Sequence, residues 1–136
     1  MTEAQAAPKA KTEKPPAIED KPLGEFMEQD YLPALKTALV EAGLADVDLS
    51  FQKGSLPQSS MSCWQVKGLW AKGRRSFVLG FPEDRIQGLK VFACADAGVS
   101  PTNLEPFLSD ERKITLPLLV FGVIRRLNGQ KWLGWN

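Results

Sequence analysis

Two hydrophobic periods divide the chain. Leu32, Leu35 and Leu39, with position 28 before them, recur at three- and four-residue spacing, which puts them on one helical face. Pro22 precedes this stretch and Gly43 follows it, so the pattern predicts a helix over 23–42. Pro33 lies inside the pattern, where a residue without an N–H bends a helix. From Val47 the period drops to two. Val47-Asp48-Leu49-Ser50-Phe51 alternates apolar and polar. Cys63 to Trp70 places Trp64, Val66 and Gly68 on one face and Cys63, Gln65, Lys67 and Leu69 on the other. Arg74 to Phe81 and Leu89 to Ala95 complete a set of four predicted strands. Ala71-Lys72-Gly73 is the predicted hairpin turn between the second and third, with Gly73 supplying a positive φ. The connections are short, so neighbouring strands should run antiparallel.

The helical period returns near the end. Ser100-Pro101-Thr102-Asn103-Leu104-Glu105 begins like a short helix, with serine as cap and proline at the first helical position. Thr115 and Pro117 then open an apolar helix that runs to about Leu127 and stops at Asn128-Gly129. Arg125 and Arg126 fall in its last turn, where cations complement the helix dipole. It is apolar nearly all round, so it should be largely buried. The order α-β-β-β-β-α gives the fold class: α+β, a four-stranded antiparallel meander with the N-terminal and C-terminal helices packed on one face.

Residues 1–16 differ from the rest. They are Ala, Lys, Glu and Pro with no aliphatic core former beyond Met1. Such a segment cannot offset its ordering entropy by burial, so an Ala/Lys/Pro-rich disordered tail is expected before a single domain over 17–136. No secretory leader pattern is visible. The longest apolar run, Leu116 to Ile124, is broken by Pro117 and Gly122 and falls well short of the roughly 20 residues a membrane span needs.

Composition narrows the chemistry. Histidine is absent, which removes Ser-His-Asp and Cys-His catalysis. Cys63 and Cys94 are the only cysteines and form no CxxC pair, so no metal or iron–sulfur site and no cofactor are expected from this chain alone. Their ordinary reading is two small buried hydrophobes, with a disulfide as the alternative. Gly68, Gly73 and Gly80 lack the spacing of a phosphate cradle. Glu83-Asp84 and Asp110-Glu111 are adjacent pairs on turns, pointing in different directions, and do not resemble an acid/base couple. Asp110-Glu111-Arg112-Lys113 precedes the final helix and either complements its dipole or supplies an inter-subunit ion pair.

The basic residues carry more. Net charge is only +1, which disfavours nucleic-acid binding through bulk charge. Between Lys67 and Arg75, however, no acid occurs. Lys67, Lys72, Arg74 and Arg75 therefore surround the first hairpin as one candidate partner-binding set. Arg125, Arg126, Lys131 and Trp132 form a second, in a C-terminal dozen with two tryptophans and no acid. Such patches steer an acidic partner, and an exposed tryptophan beside arginine anchors an interface. The bland reading is an ordinary charged surface with Trp64, Trp70, Trp132 and Trp135 as core or sheet cover.

Four strings go further than physics alone. They are Ala17-Ile18-Glu19-Asp20-Lys21-Pro22; Cys63-Trp64-Gln65-Val66-Lys67-Gly68 with Trp70; Ser109-Asp110-Glu111-Arg112-Lys113-Ile114-Thr115-Leu116; and Arg126-Leu127-Asn128-Gly129-Gln130-Lys131-Trp132-Leu133-Gly134. Together they resemble the V-subunit family of the photosynthetic NADH dehydrogenase-like complex of cyanobacteria and plastids, over roughly residues 17–136. The resemblance implies a non-catalytic peripheral subunit on the cytoplasmic or stromal side of the thylakoid membrane. It implies other peripheral-arm subunits as partners, and a place near the docking region of ferredoxin, an acidic protein. The complex passes electrons from ferredoxin to plastoquinone and supports cyclic electron flow around photosystem I. No catalytic residue is carried over. A transient assembly factor, an enzyme of unfamiliar type and a single-strand nucleic-acid binder are the competing readings.

Overall fold

The computed structural model describes residues 18–56, 62–99, 104–130 and 132. The expected tail over 1–16, and Lys131 and Trp135, lie outside them. After a 3₁₀ turn at Ile18–Asp20, helix α1 (Leu23–Phe26) passes through a π turn (Met27–Tyr31) into α2 (Leu32–Glu41). Strands β1 (Asp48–Ser55), β2 (Ser62–Trp70), β3 (Arg75–Phe81), β4 (Val91–Ala95) and β5 (Glu105–Pro106) follow, and then helix α3 (Leu116–Gly129). The sheet is antiparallel, in the order β1-β2-β3-β4-β5. The α+β class is as expected, with one strand more than the sequence pattern shows.

That fifth strand is the first correction. Leu104-Glu105 is not the start of a helix. Glu105–Pro106 pairs with Val91 and Phe92 at the sheet edge, where a proline costs no central ladder bond. The rest of that predicted helix, 100–103, is outside the described residues.

The bend near Pro33 takes the form of the π turn just ahead of it. Leu32 N–H reaches back five residues to Met27 O. This loosens the helix where Pro33 offers no N–H of its own. The extra residue also rotates the buried face. Met27, Tyr31, Leu35 and Leu39 are fully buried, whereas Leu32 is only half-buried. Burying Leu35 and Leu39 contributes about 1.5–3 kcal/mol each. The Tyr31 hydroxyl donates to Leu119 O at 2.9 Å, joining the two helical segments. Burial pushes the Tyr31 phenol far above its ordinary pKa, so the hydroxyl stays a donor.

One face of the sheet meets the helices. Val66, Trp70, Phe77, Leu79, Phe81 and Phe92 pack with Tyr31, Leu35, Leu39, Leu119, Val123 and Leu127 in one cluster. Gly68 sits opposite Phe77, and any Cβ there would overlap the Phe77 ring. The glycine is thus the floor on which that aromatic lies. The helix-free face carries Gln65, Lys67, Ser76, Val78 and Ala93, by the parity of the register. Cys63 falls on this face and Cys94 on the helical face, two strands away, and both thiols are free. Burial raises the pKa of each.

Helix α3 starts at Thr115, whose hydroxyl accepts from Leu118 N. The anion bonded at its N-terminus is Glu19, whose Oε2 accepts from Leu116 N at 2.9 Å, whereas Asp110 and Glu111 are exposed. Nor is α3 buried all round. Leu119, Val123, Ile124 and Leu127 are inside, whereas Phe121 is 56% exposed.

Candidate functional site: the cationic end of the sheet

The β2–β3 connection builds the site. Ala71, Lys72 and Gly73 all have positive φ, at 55°, 57° and 84°. Only the glycine adopts this region freely, and each of the others costs on the order of 1 kcal/mol. Four hydrogen bonds hold the turn. Gly73 N donates to Trp70 O at 3.1 Å, Arg74 N to Ala71 O at 3.1 Å, Gly98 N to Arg74 O at 2.9 Å, and Ala71 N to Asp46 Oδ2 at 2.8 Å. Asp46 comes from the link after α2, so the turn is tied to the end of that helix. Lys72 and Arg74 are exposed, and neither forms an ion pair among the described residues.

The chain's other end arrives at the same place. Trp132 N donates to Leu127 O at 3.3 Å as α3 closes. The Trp132 ring then stands edge-on to Trp70, centroids 5.7 Å apart. The Arg75 guanidinium lies over Trp132, 5.0 Å from the ring centroid, and its Nε is 3.5 Å from Asp96 Oδ1. A hydrogen bond from Ala97 N, with Arg75 and Arg74 nearby, holds the Asp96 carboxyl below its usual range. Asp46, after α2, and Trp132, after α3, both meet the Trp70–Ala71 corner, so the segments that leave the two helices converge there.

The structure divides the predicted residues. Lys72, Arg74, Arg75 and Trp132 come together. Lys67 is half-buried on the helix-free face, in a pocket of about 360 Å³ that reaches Gly73 and Gly98. Arg126 is taken up internally. Its Nε and Nη2 meet the two Glu105 carboxylate oxygens at 2.7 and 3.0 Å, its guanidinium lies over Phe92, and Glu105 raises its pKa. Arg126 is thus paired within the domain and is not displayed as Lys72 and Arg74 are. Arg125 is exposed and lies over Phe121, 5.8 Å from the ring centroid. Lys131 lies outside the described residues.

Asp46 and Asp96 carry no motif and were not foreseen. Only the register, which pairs Ser76 with Ala95, brings Asp96 level with Arg75. Among the described residues no three His, Cys, Asp or Glu side chains gather as a metal site, and no helix is long and apolar enough to cross a membrane. The profile of a family described as a protein of unknown function (DUF2996) matches residues 17–134. No curated protein matches the chain.

Proposed function

We propose that this chain, which belongs to the DUF2996 family, is a non-catalytic peripheral subunit of the photosynthetic NADH dehydrogenase-like complex. It would lie on the cytoplasmic or stromal side of the thylakoid membrane. There it stabilises the peripheral arm and the region where ferredoxin docks. The four sequence strings support the choice of complex. The observation that carries the choice of partner is the turn at Lys72–Arg74. It displays two exposed cations, Lys72 on backbone of positive φ and Arg74 directly after the turn's glycine, with no carboxylate paired to either among the described residues. Strain of this kind persists where the surroundings hold it and a function uses it. Cations so displayed speed encounter with an acidic protein and weaken with salt.

The test is ferredoxin-dependent plastoquinone reduction by complexes carrying Lys72→Glu and Arg74→Glu. The ferredoxin concentration at half-rate should rise by about tenfold, with the maximal rate unchanged. The salt dependence should also flatten. An unchanged response to ferredoxin and to salt would remove the assignment of this turn.

A further inference from the structure

The pocket on the helix-free face of the sheet has a polar floor. Gln65 and Lys67 on β2 and Ser76 on β3 share that face by register and line the cavity. Gln65 is 1% exposed. Its Nε2 donates to Gly54 O at 2.9 Å and to Ser55 O at 3.4 Å. Carbonyls accept only from the NH₂ end of an amide, so these two bonds fix which way the side chain is turned. Oε1 is the atom left over, buried and without a donor among the described residues. A buried acceptor of this kind is costly unless something supplies a donor. Lys67 stands two residues along the strand, roughly 7 Å away. It is half-buried and forms no ion pair among the described residues. The nearest acid by register is Asp48, opposite Leu69 on the edge strand, and it is exposed. Ser76, 8% exposed, adds a hydroxyl. Leu69, Val78 and Val99 make the apolar part of the lining.

We infer that this pocket binds a short hydroxycarboxylic acid. The carboxylate pairs with the Lys67 ammonium, and the hydroxyl donates to Gln65 Oε1. The Ser76 hydroxyl donates to whichever ligand oxygen lies over β3, and the aliphatic carbons rest on Leu69, Val78 and Val99. Each polar group in the floor then meets a partner of the right kind. A carboxylate without a hydroxyl leaves Oε1 unpaired, and a polyol without charge leaves Lys67 unpaired. An ammonium in place of the hydroxyl would be repelled by Lys67. A cavity of about 360 Å³ is at the small end for ligand sites, which suits a short acid. The site binds and does not react, since none of the three groups that line its floor is a base poised near neutrality. This inference uses neither Lys72 nor Arg74 and stands whichever complex the chain serves.

The full chain, isotope-labelled, would be titrated with malate, succinate and glycerol at matched ionic strength, and its amide spectrum followed. Malate carries both carboxylate and hydroxyl, succinate lacks the hydroxyl, and glycerol lacks the charge. Malate at millimolar concentration should shift the backbone amides of 65–69 and 76–78 and the side-chain NH₂ of Gln65. Succinate should bind about tenfold more weakly, because a site built around a hydroxyl rejects the analogue without one. Glycerol should shift nothing. Lys67→Met should abolish the malate response while keeping the native spectrum. Gln65→Met should bring malate down to the level of succinate. If that variant does not fold, the malate-to-succinate ratio of the wild type still decides the role of Oε1. Equal binding of malate and succinate would overturn the inference. So would a malate response that survives Lys67→Met, shifts confined to the Lys72–Arg74 turn, or a spectrum that no probe moves.

Discussion

Arg75 and Trp132 join the first hairpin to the end of the last helix. The guanidinium lies 5.0 Å from the ring centroid, and Trp132 in turn rests against Trp70. A C-terminal segment that reads as a sticky end is, at Trp132, part of the domain's own packing. It also fixes where the cationic turn points, because Arg75 follows directly on Lys72-Gly73-Arg74.

Removing that clasp should cost measurable stability. Trp132→Ala is expected to lower unfolding free energy by about 1–2 kcal/mol, from the lost aromatic edge contact and the lost cation–π contact. A double-mutant cycle with Arg75→Ala should return a coupling of about 0.5–1 kcal/mol in urea melts. Additive effects would show that the pair does not interact in solution.

Arg126 and Arg74 should separate by phenotype. Arg126→Met breaks a two-point contact with Glu105 that is partly open to water, so a loss of about 1 kcal/mol is expected. Arg74→Met should leave the urea midpoint nearly unchanged, because its side chain is exposed and bonds nothing among the described residues. Charge removal at Arg74 should instead show in partner association. Equal destabilisation by both substitutions would contradict the division between structural and displayed cations.

Gly68 should resist any side chain. A Cβ there would overlap the Phe77 ring, which lies in the middle of the core. Gly68→Ala is expected to destabilise by about 1–3 kcal/mol, and Gly68→Ala with Phe77→Leu should recover part of that loss. Thermal melts of the two variants would decide it.

The thiols give a pH test. Burial raises the pKa of Cys63, so the folded chain holds that proton after the unfolded chain releases it. The stability this adds is complete below the ordinary thiol value of about 8.5 and is lost as pH rises through the folded pKa. Wild type should therefore lose stability relative to Cys63→Ala above that value and show a constant difference below it. A difference that stays constant across the alkaline range would contradict the burial of this thiol.

Much of this architecture was legible because side-chain parity carries it. Val66 and Gly68 on one face, with Gln65 and Lys67 on the other, follow from period two alone, and the register bears this out. The final helix was legible from Thr115 and Pro117. What escaped depends on partners distant in the chain. Glu105–Pro106 is a strand only because Val91 and Phe92 offer it an edge. Glu19 caps a helix that begins 97 residues later. The π turn rotates Tyr31 into the core in place of Leu32, a change that simple helical spacing does not show. The candidate site divides in the same way. The acid-free run from Lys67 to Arg75 was visible, but the capture of Arg126 by Glu105 and of Arg75 by Trp132 was not.

Membership of a thylakoid dehydrogenase complex is tested by affinity purification of the tagged chain from thylakoid extracts. The peripheral-arm subunits should come with it, in fixed proportion to the tagged chain, from the mature complex. Recovery of no dehydrogenase subunits would contradict it, and recovery only from immature complexes would make the chain an assembly factor instead.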